Sequence, residues 1–438
     1  MSFSRRQFLA TSAGWSAIAL MPRLSRATSL NEKLRTAHIG VGGMGSSDLG
    51  RVSSHPMVEV AALCDVDSQR LAKAHEKHPL AKTFVDYREL ISALGDTIDA
   101  VVVSTPDHTH APAAMTALNA GKPVYCQKPL THEVYEARQL RLKAEQTGLP
   151  TQMGVQIHSH QAYKSAVAMI QQGTIGKVSQ VYAWSNKNWG FDGTALPEPA
   201  PVPETLDWDR WLGTARQRDF SPQVYHPGQW RKLIDFGTGT LGDMGVHIFD
   251  TPYTALELTA PSWVKTSCRQ PTGVGHPSAN TVEYEFPGTK YTTQTLKWIW
   301  SDGSYAPPEI GCSCLPEDLT LPPQGSLFIG EAGSMLLPHI GAPQLFPVEN
   351  FSEAELPMIE GNNHYHQWVE ACFGQATCSA DFTFGGKLTE ALLLGVVANR
   401  FPEQKLQWDA ETMTIPNLPA AEALLRSEYR EGYKVEGL

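Results

Sequence analysis

Surplus positive charge is what this chain lacks first: 35 Lys and Arg stand against 45 Asp and Glu in 438 residues. A general nucleic-acid binder needs basic residues to neutralise phosphates, so that class is excluded, and a small ligand of little or no charge fits better. Cysteine is also scarce, with seven in the whole chain. That excludes a disulfide scaffold, and the odd count leaves at least one thiol outside any intramolecular pair. Cys312 and Cys314 are near neighbours, but no second Cys or His pair follows at zinc-ribbon spacing, so no metal site is expected. Long apolar runs are missing as well. The run Ala10 to Leu20 is short and rich in Ala and Ser, which excludes a permanent membrane anchor there. No internal repeat is visible, and the length suggests two or three domains.

What is present begins with Arg5-Arg6-Gln7-Phe8-Leu9, followed by that modest apolar run and by Ser25-Arg26-Ala27, a small-x-small cleavage pattern. The segment resembles a twin-arginine translocation signal, which implies export of an already folded protein, to the periplasm or otherwise across the membrane. Residues 1–27 are therefore set apart from the fold.

From Arg35 onward, short apolar runs ("TAHIGVG", "VEVAALCDV", "DAVVVSTP", "PVYCQKP", "PTQMGVQ") alternate with helix-like segments such as Ala111 to Asn119 and Val134 to Gln146. Gly121 and Gly148 stand where helices end. Alternation of this kind predicts a doubly wound parallel sheet over residues 34–155. Beyond it, one helix near Tyr163 to Gln172 is followed by strand-like stretches in runs ("KVSQVYAWSN", "WVKTSCRQ", "NTVEYEFPG", "YTTQTLKWIW"). Strands in runs predict an α+β domain over residues 156–438, built on a large open, predominantly antiparallel sheet, with its last helices free to pack back on the first domain. The Pro-rich stretch "EPAPVPE" reads as an extended arm.

Gly40-Val41-Gly42-Gly43-Met44-Gly45 follows a predicted strand and opens a predicted helix. Gly40 permits a tight turn, Gly42 lets the backbone approach a pyrophosphate, and Gly45 allows close helix–strand packing. The helix start adds N–H groups and positive dipole. Asp65 ends the second strand ~20 residues on, placed to accept from ribose hydroxyls. A carboxylate there would repel a 2′-phosphate, so NAD is expected rather than NADP, with nearby Arg70 tempering the preference.

Two further stretches, Ser104-Thr105-Pro106-Asp107-His108-Thr109-His110 and Tyr125-Cys126-Gln127-Lys128-Pro129-Leu130, join "AHIGVGGMG" and "GTLGDMGVHIFD" in one set. Together they closely resemble the glucose-fructose oxidoreductase and inositol dehydrogenase family (Gfo/Idh/MocA). The resemblance implies a Rossmann fold (α/β) plus the second domain, with a sugar or cyclitol alcohol oxidised between them and a homo-oligomeric assembly. It places Thr105, Pro106, His108 and His110 beside the cofactor and gives Lys128 the lysine of the family's Glu-Lys-Pro signature. Gln127 departs from that signature, being a neutral amide where the family commonly has Glu.

Asp243 and His247 stand at i and i+4, neighbours on one face if the segment is helical. A neutral imidazole suits removal of a hydroxyl proton near neutral pH. By resemblance His247 is the proton acceptor, Asp243 orients it or binds a substrate hydroxyl, and Lys128 polarises the same oxygen. His158, Trp189, Trp230 and Arg231 are candidates for the substrate cleft, with buried core aromatics as an equally good reading. His108 and His110 could ligate a metal but lack third and fourth ligands. "NNHYHQW" at Asn362 to Trp368 reads as helix capping and core.

The expected protein is an exported NAD(P)-dependent oxidoreductase of sugars, glycosides or cyclitols, whose tightly bound cofactor is recycled in place, since little free dinucleotide exists outside the cytoplasm. Two alternatives remain open. One is a glycosidase using transient NAD-dependent oxidation of the sugar. The other is a non-catalytic sugar- or dinucleotide-binding protein, which would not need Lys128, Asp243 and His247 together.

Overall fold

Six strands, two of six or seven residues and four of three or four, open the fold. A computed structural model describes residues 32–310, 315, 316, 318–353 and 357–438. The proposed export signal and the pair Cys312 and Cys314 lie outside the described residues. The strands are β1 (Leu34–Ile39), β2 (Val58–Cys64), β3 (Lys82–Phe84), β4 (Ala100–Val103), β5 (Val124–Cys126) and β6 (Thr151–Met153). They form a six-stranded sheet in the order β3-β2-β1-β4-β5-β6, with every pair parallel. β4 and β5 are buried throughout, which is why they read as continuous apolar runs rather than as an alternation. Strand order reverses between β1 and β4, so the crevice opens at the carboxyl ends of these two strands.

Helices α1 (Met44–Ser53), α2 (Ser68–Lys77), α3 (Tyr87–Leu94), α4 (Asp107–Asn119) and α5 (Val134–Thr147) make the crossovers. α4 begins four residues before the expected Ala111, because Pro106 holds φ −60° at the cap and Asp107 suits the first turn. The early start makes His108 and His110 helical residues.

Helix α6 (Gln161–Gln171) leads into the second region. Its strands are β7 (Val178–Ser185), β8 (Trp263–Cys268), β9 (Asn280–Pro287), β10 (Thr292–Asp302), β11 (Gln324–Gly330), β12 (Ser334–Pro338), β13 (Gln344–Phe346) and β14 (Lys405–Gln407). They pair in the order β13-β12-β11-β7-β10-β9-β8-β14; β7 and β10 run parallel and the other neighbours antiparallel.

After β7, residues 186–240 contain helix α7 (Trp208–Leu212) and fold back toward the first sheet. A π-helical turn, Leu241–Gly245, then runs directly into α8 (Val246–Ala255). α8 lies on the second sheet, with the Phe249 ring 4.0 Å from that of Trp298, and both side chains fully buried. Burial of such a ring stabilises the fold by roughly 2 kcal/mol.

α9 (His364–Cys372) is capped by Asn363, whose Oδ1 accepts from the N–H groups of Tyr365 and His366. α10 (Phe382–Ala398) returns to pack on α5, where Arg138 and Glu390 pair at 2.6 Å. Leu34–Leu438 accordingly form one packed unit. Among the described residues no helix is long and apolar enough to cross a membrane.

Candidate active site

The two regions enclose a cavity of about 580 Å³, lined from both sides. On its first wall the chain leaves β1 at Gly40, whose φ of 79° and whose closeness to the Ser104 carbonyl oxygen, 2.7 Å from any added Cβ, exclude other residues. Gly43 occupies the cap of α1, Met44 opens the helix, Gly45 is buried against the Gly40 carbonyl, and no side chain caps the helix start. The Gly45 N–H donates to the Gly42 carbonyl at 2.9 Å, and the other N–H groups of the helix start are left without a side-chain cap, where an anion could take them. A Cβ at Gly42 would collide with the Arg70 side chain, which lies across the turn.

Asp65, at the end of β2, lines the cavity and also shapes the turn it faces. Its Oδ2 accepts from the Val41 N–H at 2.9 Å and its Oδ1 from the Asp67 N–H at 2.9 Å. Burial pushes its carboxyl above the usual range against the pull of these bonds. Thr105 and Pro106 line the cavity, and the Thr105 hydroxyl is buried without a partner. An uncapped helix start, a turn open only to glycine, a carboxylate after β2 and an orphaned hydroxyl beside them fit a dinucleotide. Gly40 to Gly45, Asp65, Thr105 and Pro106 are the residues that would hold it.

His110 lines the same wall, its Nδ1 2.8 Å from the Pro129 carbonyl and its Nε2 2.8 Å from that of Thr105, so it ties the loops after β4 and β5 together. His108 does not join it. Two residues apart on a helix means about 200° of rotation. His108 instead faces the Trp211 carbonyl at 3.1 Å, buried between Trp211 and Phe236. His158 is also corrected: it lies outside the cavity, with Nδ1 2.7 Å from buried Asp250 and its ring against Phe384. Among the described residues no group of three or more His, Cys, Asp or Glu could hold a metal ion.

The opposite wall is made by Lys128, Trp189, Trp230, Arg231, Asp243 and His247. Lys128 Nζ donates to Asp243 Oδ1 at 2.7 Å and to the Asp243 carbonyl at 3.0 Å. Arg231 Nε donates to the same Oδ1 at 3.2 Å, its guanidinium stacked over Trp230 at 4.3 Å and facing Trp189 at 5.5 Å. Burial opposes the Asp243 charge, but Lys128 and Arg231 outweigh it and hold the carboxyl well below the usual range. Asp243 thus orients the lysine; no hydrogen bond joins it to His247. The His247 Nδ1 is buried without a partner, which leaves Nε2 to reach a ligand. Burial, then Lys128 and His339, push this imidazole well below its usual value, so it is neutral at neutral pH.

Gln127 does not touch the Lys128 ammonium. Its Nε2 donates to both oxygens of Asp48, at 2.9 and 3.1 Å, within α1. Asp48 is fully buried and also accepts from Ser104 Oγ at 2.7 Å and Tyr365 OH at 3.0 Å. The carboxylate absent at position 127 is thus supplied from beneath the glycine turn. Sequence reasoning missed Asp48 and Tyr365, and also Gln156, Lys187 and His339, which line the cavity. Gln156 and Tyr365 stand in stretches read only as strand end and as helix capping, and Asp48, Lys187 and His339 in stretches with no motif; only the amide at 127, asking for a new partner, was a signal.

Residues 186–240 close the other end. Their core is aromatic: Trp208, Trp211, Phe220, Tyr225, Trp230 and Phe236 pack together. Asp207 N–H donates to the Val66 carbonyl and Ser68 N–H to that of Thr205. Arg210 pairs with Asp86 at 3.3 Å and His226 Nε2 lies 2.9 Å from Asp67 Oδ2. Asp86, buried, is held below the usual range because the Arg88 and Arg210 guanidiniums outweigh its burial.

Comparison with known proteins matches these two halves separately. The NAD-binding Rossmann-fold model of the Gfo/Idh/MocA oxidoreductase family covers residues 34–155, and the family's C-terminal alpha/beta domain model covers residues 163–280. Inositol 2-dehydrogenase of Salmonella typhimurium is 29% identical over 208 residues, 45% of this chain and 59% of that protein. A glycosyl hydrolase family 109 protein of Stenotrophomonas maltophilia is 29% identical over 193 residues, 42% of each. The chain thus spans between 42% and 59% of the length of these curated relatives. Among solved structures, the WlbA dehydrogenase of Chromobacterium violaceum, in complex with NADH and UDP-GlcNAcA, superposes with a TM-score of 0.62 at 15% identity, covering 87% of this chain and 97% of that one. GenD2 from gentamicin A biosynthesis, in complex with NAD, gives 0.59 at 19% identity, covering 86% and 97%. Likeness at this identity establishes the fold. With both family models matched in order, the chain belongs to the Gfo/Idh/MocA family of NAD-binding oxidoreductases.

Proposed function

We propose that the protein oxidises a hydroxyl of a sugar, glycoside or cyclitol, using an NAD that stays bound between turnovers and is exported with the folded chain. One observation carries the reading: Lys128, Asp243 and His247 converge on one wall of the cavity whose other wall is the glycine turn. The substrate hydroxyl sits between Lys128 Nζ and His247 Nε2. His247 takes its proton, which a neutral imidazole can do without first losing one. Lys128, held by Asp243, donates to the oxygen as charge develops on it, in a site where water is largely excluded. When bound, NAD supplies the acceptor for the hydrogen and electron pair leaving the carbon. The face of Trp189, which is only partly buried on the cavity wall, suits the C–H face of a sugar, whereas Trp230 is buried beneath Arg231. Retention of the cofactor is supported by the ion-paired cover over the adenosine end.

The test adds hexoses, glycosides and inositols to the washed protein without external NAD and follows dinucleotide absorbance. Reduction by at least one of them is expected; no change with any, and no chemistry on any, overturns the reading. The family 109 relative supports a second reading, in which the oxidation is transient and serves to labilise a glycosidic bond. Aglycone release without net dinucleotide reduction would select it.

A further inference from the structure

The reaction end of the cavity carries more positive charge than its own carboxylates answer. Lys128 and Arg231 share the single Asp243. Asp107, the other acid on that side, is buried and accepts from Thr238 Oγ1 at 2.8 Å, with its carboxyl pushed up by burial. Lys187, two residues past β7, lines the cavity with no acidic partner among the described residues. Its charge bears on His247 and His339, two rings 5.9 Å apart. His339 is fixed there, its Nδ1 2.9 Å from Tyr163 OH. The loop carrying Lys187 is pinned as well: Trp189 N–H donates to Thr240 Oγ1 at 2.7 Å, and the Lys187 carbonyl accepts from Gly303 N–H at 3.2 Å.

Lys187 is exposed and Arg231 half-buried, so a neutral sugar would leave Lys187 to solvent, whereas an anion would be met by donors already in place. Resting on the oxidoreductase reading above, we propose that the natural substrate bears a compact anionic substituent, a ring carboxylate or a sulfate ester, seated on Lys187 and Arg231. Overall composition suggested a ligand of little charge; the local arrangement of cations at this end reverses that expectation.

The experiment uses the protein with its own dinucleotide and matched probes: glucuronate against glucose, galacturonate against galactose, and glucose 6-sulfate to separate sulfate from carboxylate. The acidic member of at least one pair should be preferred about tenfold or more in kcat/KM, as a charge-assisted contact gives. The gain should lie mainly in KM and shrink with added salt. Lys187→Met should bring the pair to near equality while the dinucleotide released per chain stays constant, and Lys187→Arg should restore the preference. Equal or better use of the neutral sugars by the wild type, or a preference that survives Lys187→Met, overturns the proposal and leaves the oxidoreductase reading intact. No reaction with any sugar, neutral or acidic, overturns both.

Discussion

One cavity has two unlike ends. At the adenosine end Asp86 is met by Arg88 and Arg210, Asp67 by Arg70 and His226, and residues 186–240, with an aromatic core of their own, are held against the loops after β2 and β3. At the reaction end one carboxylate serves two cations, Lys187 has no acidic partner among the described residues, and the cavity adjoins a wide groove of about 1020 Å³ at Gln156 and, on the glycine-turn side, Met44. Charges paired within the protein keep a ligand in by closing behind it. Charges left for a ligand select one that must come and go. On the function proposed above, the difference would separate a retained cofactor from an exchanging substrate.

The sharpest way to break that division is to remove chemistry at one end without disturbing the other. Lys128→Met and His247→Ala should each keep the bound dinucleotide yet lose turnover by ~10²–10⁴-fold, the usual contribution of a general acid or base. Because both serve one oxygen, the double variant should be scarcely slower than either single one. Single-turnover absorbance together with dinucleotide content checks both halves. Loss of dinucleotide in these variants would mean that the two ends are not separate.

Asp65→Ala acts at the closed end. Loss of a charge-assisted bond to the ribose should weaken NAD by about 1–3 kcal/mol. Asp65 also holds the Val41 N–H, so NADP should weaken too, by less. Equal weakening of both in a binding titration would reduce Asp65 to a turn-shaping role. A smaller effect is expected from the cover. The double variant Arg210→Ala, His226→Ala removes two partly buried pairs, which at about 1 kcal/mol in total should let dinucleotide leave roughly three- to tenfold faster on dialysis, with little change in the rate of the chemical step.

Acid should sharpen the comparison further. His108 and His276, both buried under the cover, have imidazoles pushed down to about 3 by burial. Their folded values lie below the unfolded value, so the unfolded chain binds more protons in between. Stability should therefore fall as pH drops from about 6.5 toward 3, by up to ~1.4 kcal/mol per pH unit for each histidine. Urea midpoints at pH 7 and pH 5 measure it. The single-turnover rate, by contrast, should show no acid limb near pH 6.5, because His247 is already neutral there.

Much of this was legible because local rules and global fold agree. The β–α alternation, the glycines after β1 and the acid after β2 are each dictated by backbone geometry, and they fell where expected. The i, i+4 spacing brought Asp243 and His247 to the same cavity even though the turn between them is π-helical. What was not legible depends on contacts between distant segments. His158 and His108 looked like site residues until Asp250 and Trp211 claimed them. The cover has no periodicity because its aromatics form a small core of their own. Asp48 reads as an ordinary helix polar residue until Gln127 and Tyr365 close on it from more than 75 residues away in sequence. The amide at Gln127 looked like a lost charge; in the fold it donates to a buried carboxyl, Asp48.

The most direct test of a closed, retaining end is to wash the purified protein exhaustively, denature it and quantify the released dinucleotide by mass spectrometry. About one NAD per chain, with none added at any stage, is expected. A protein that emerges empty, and that acts on sugar only when NAD is supplied, would contradict it.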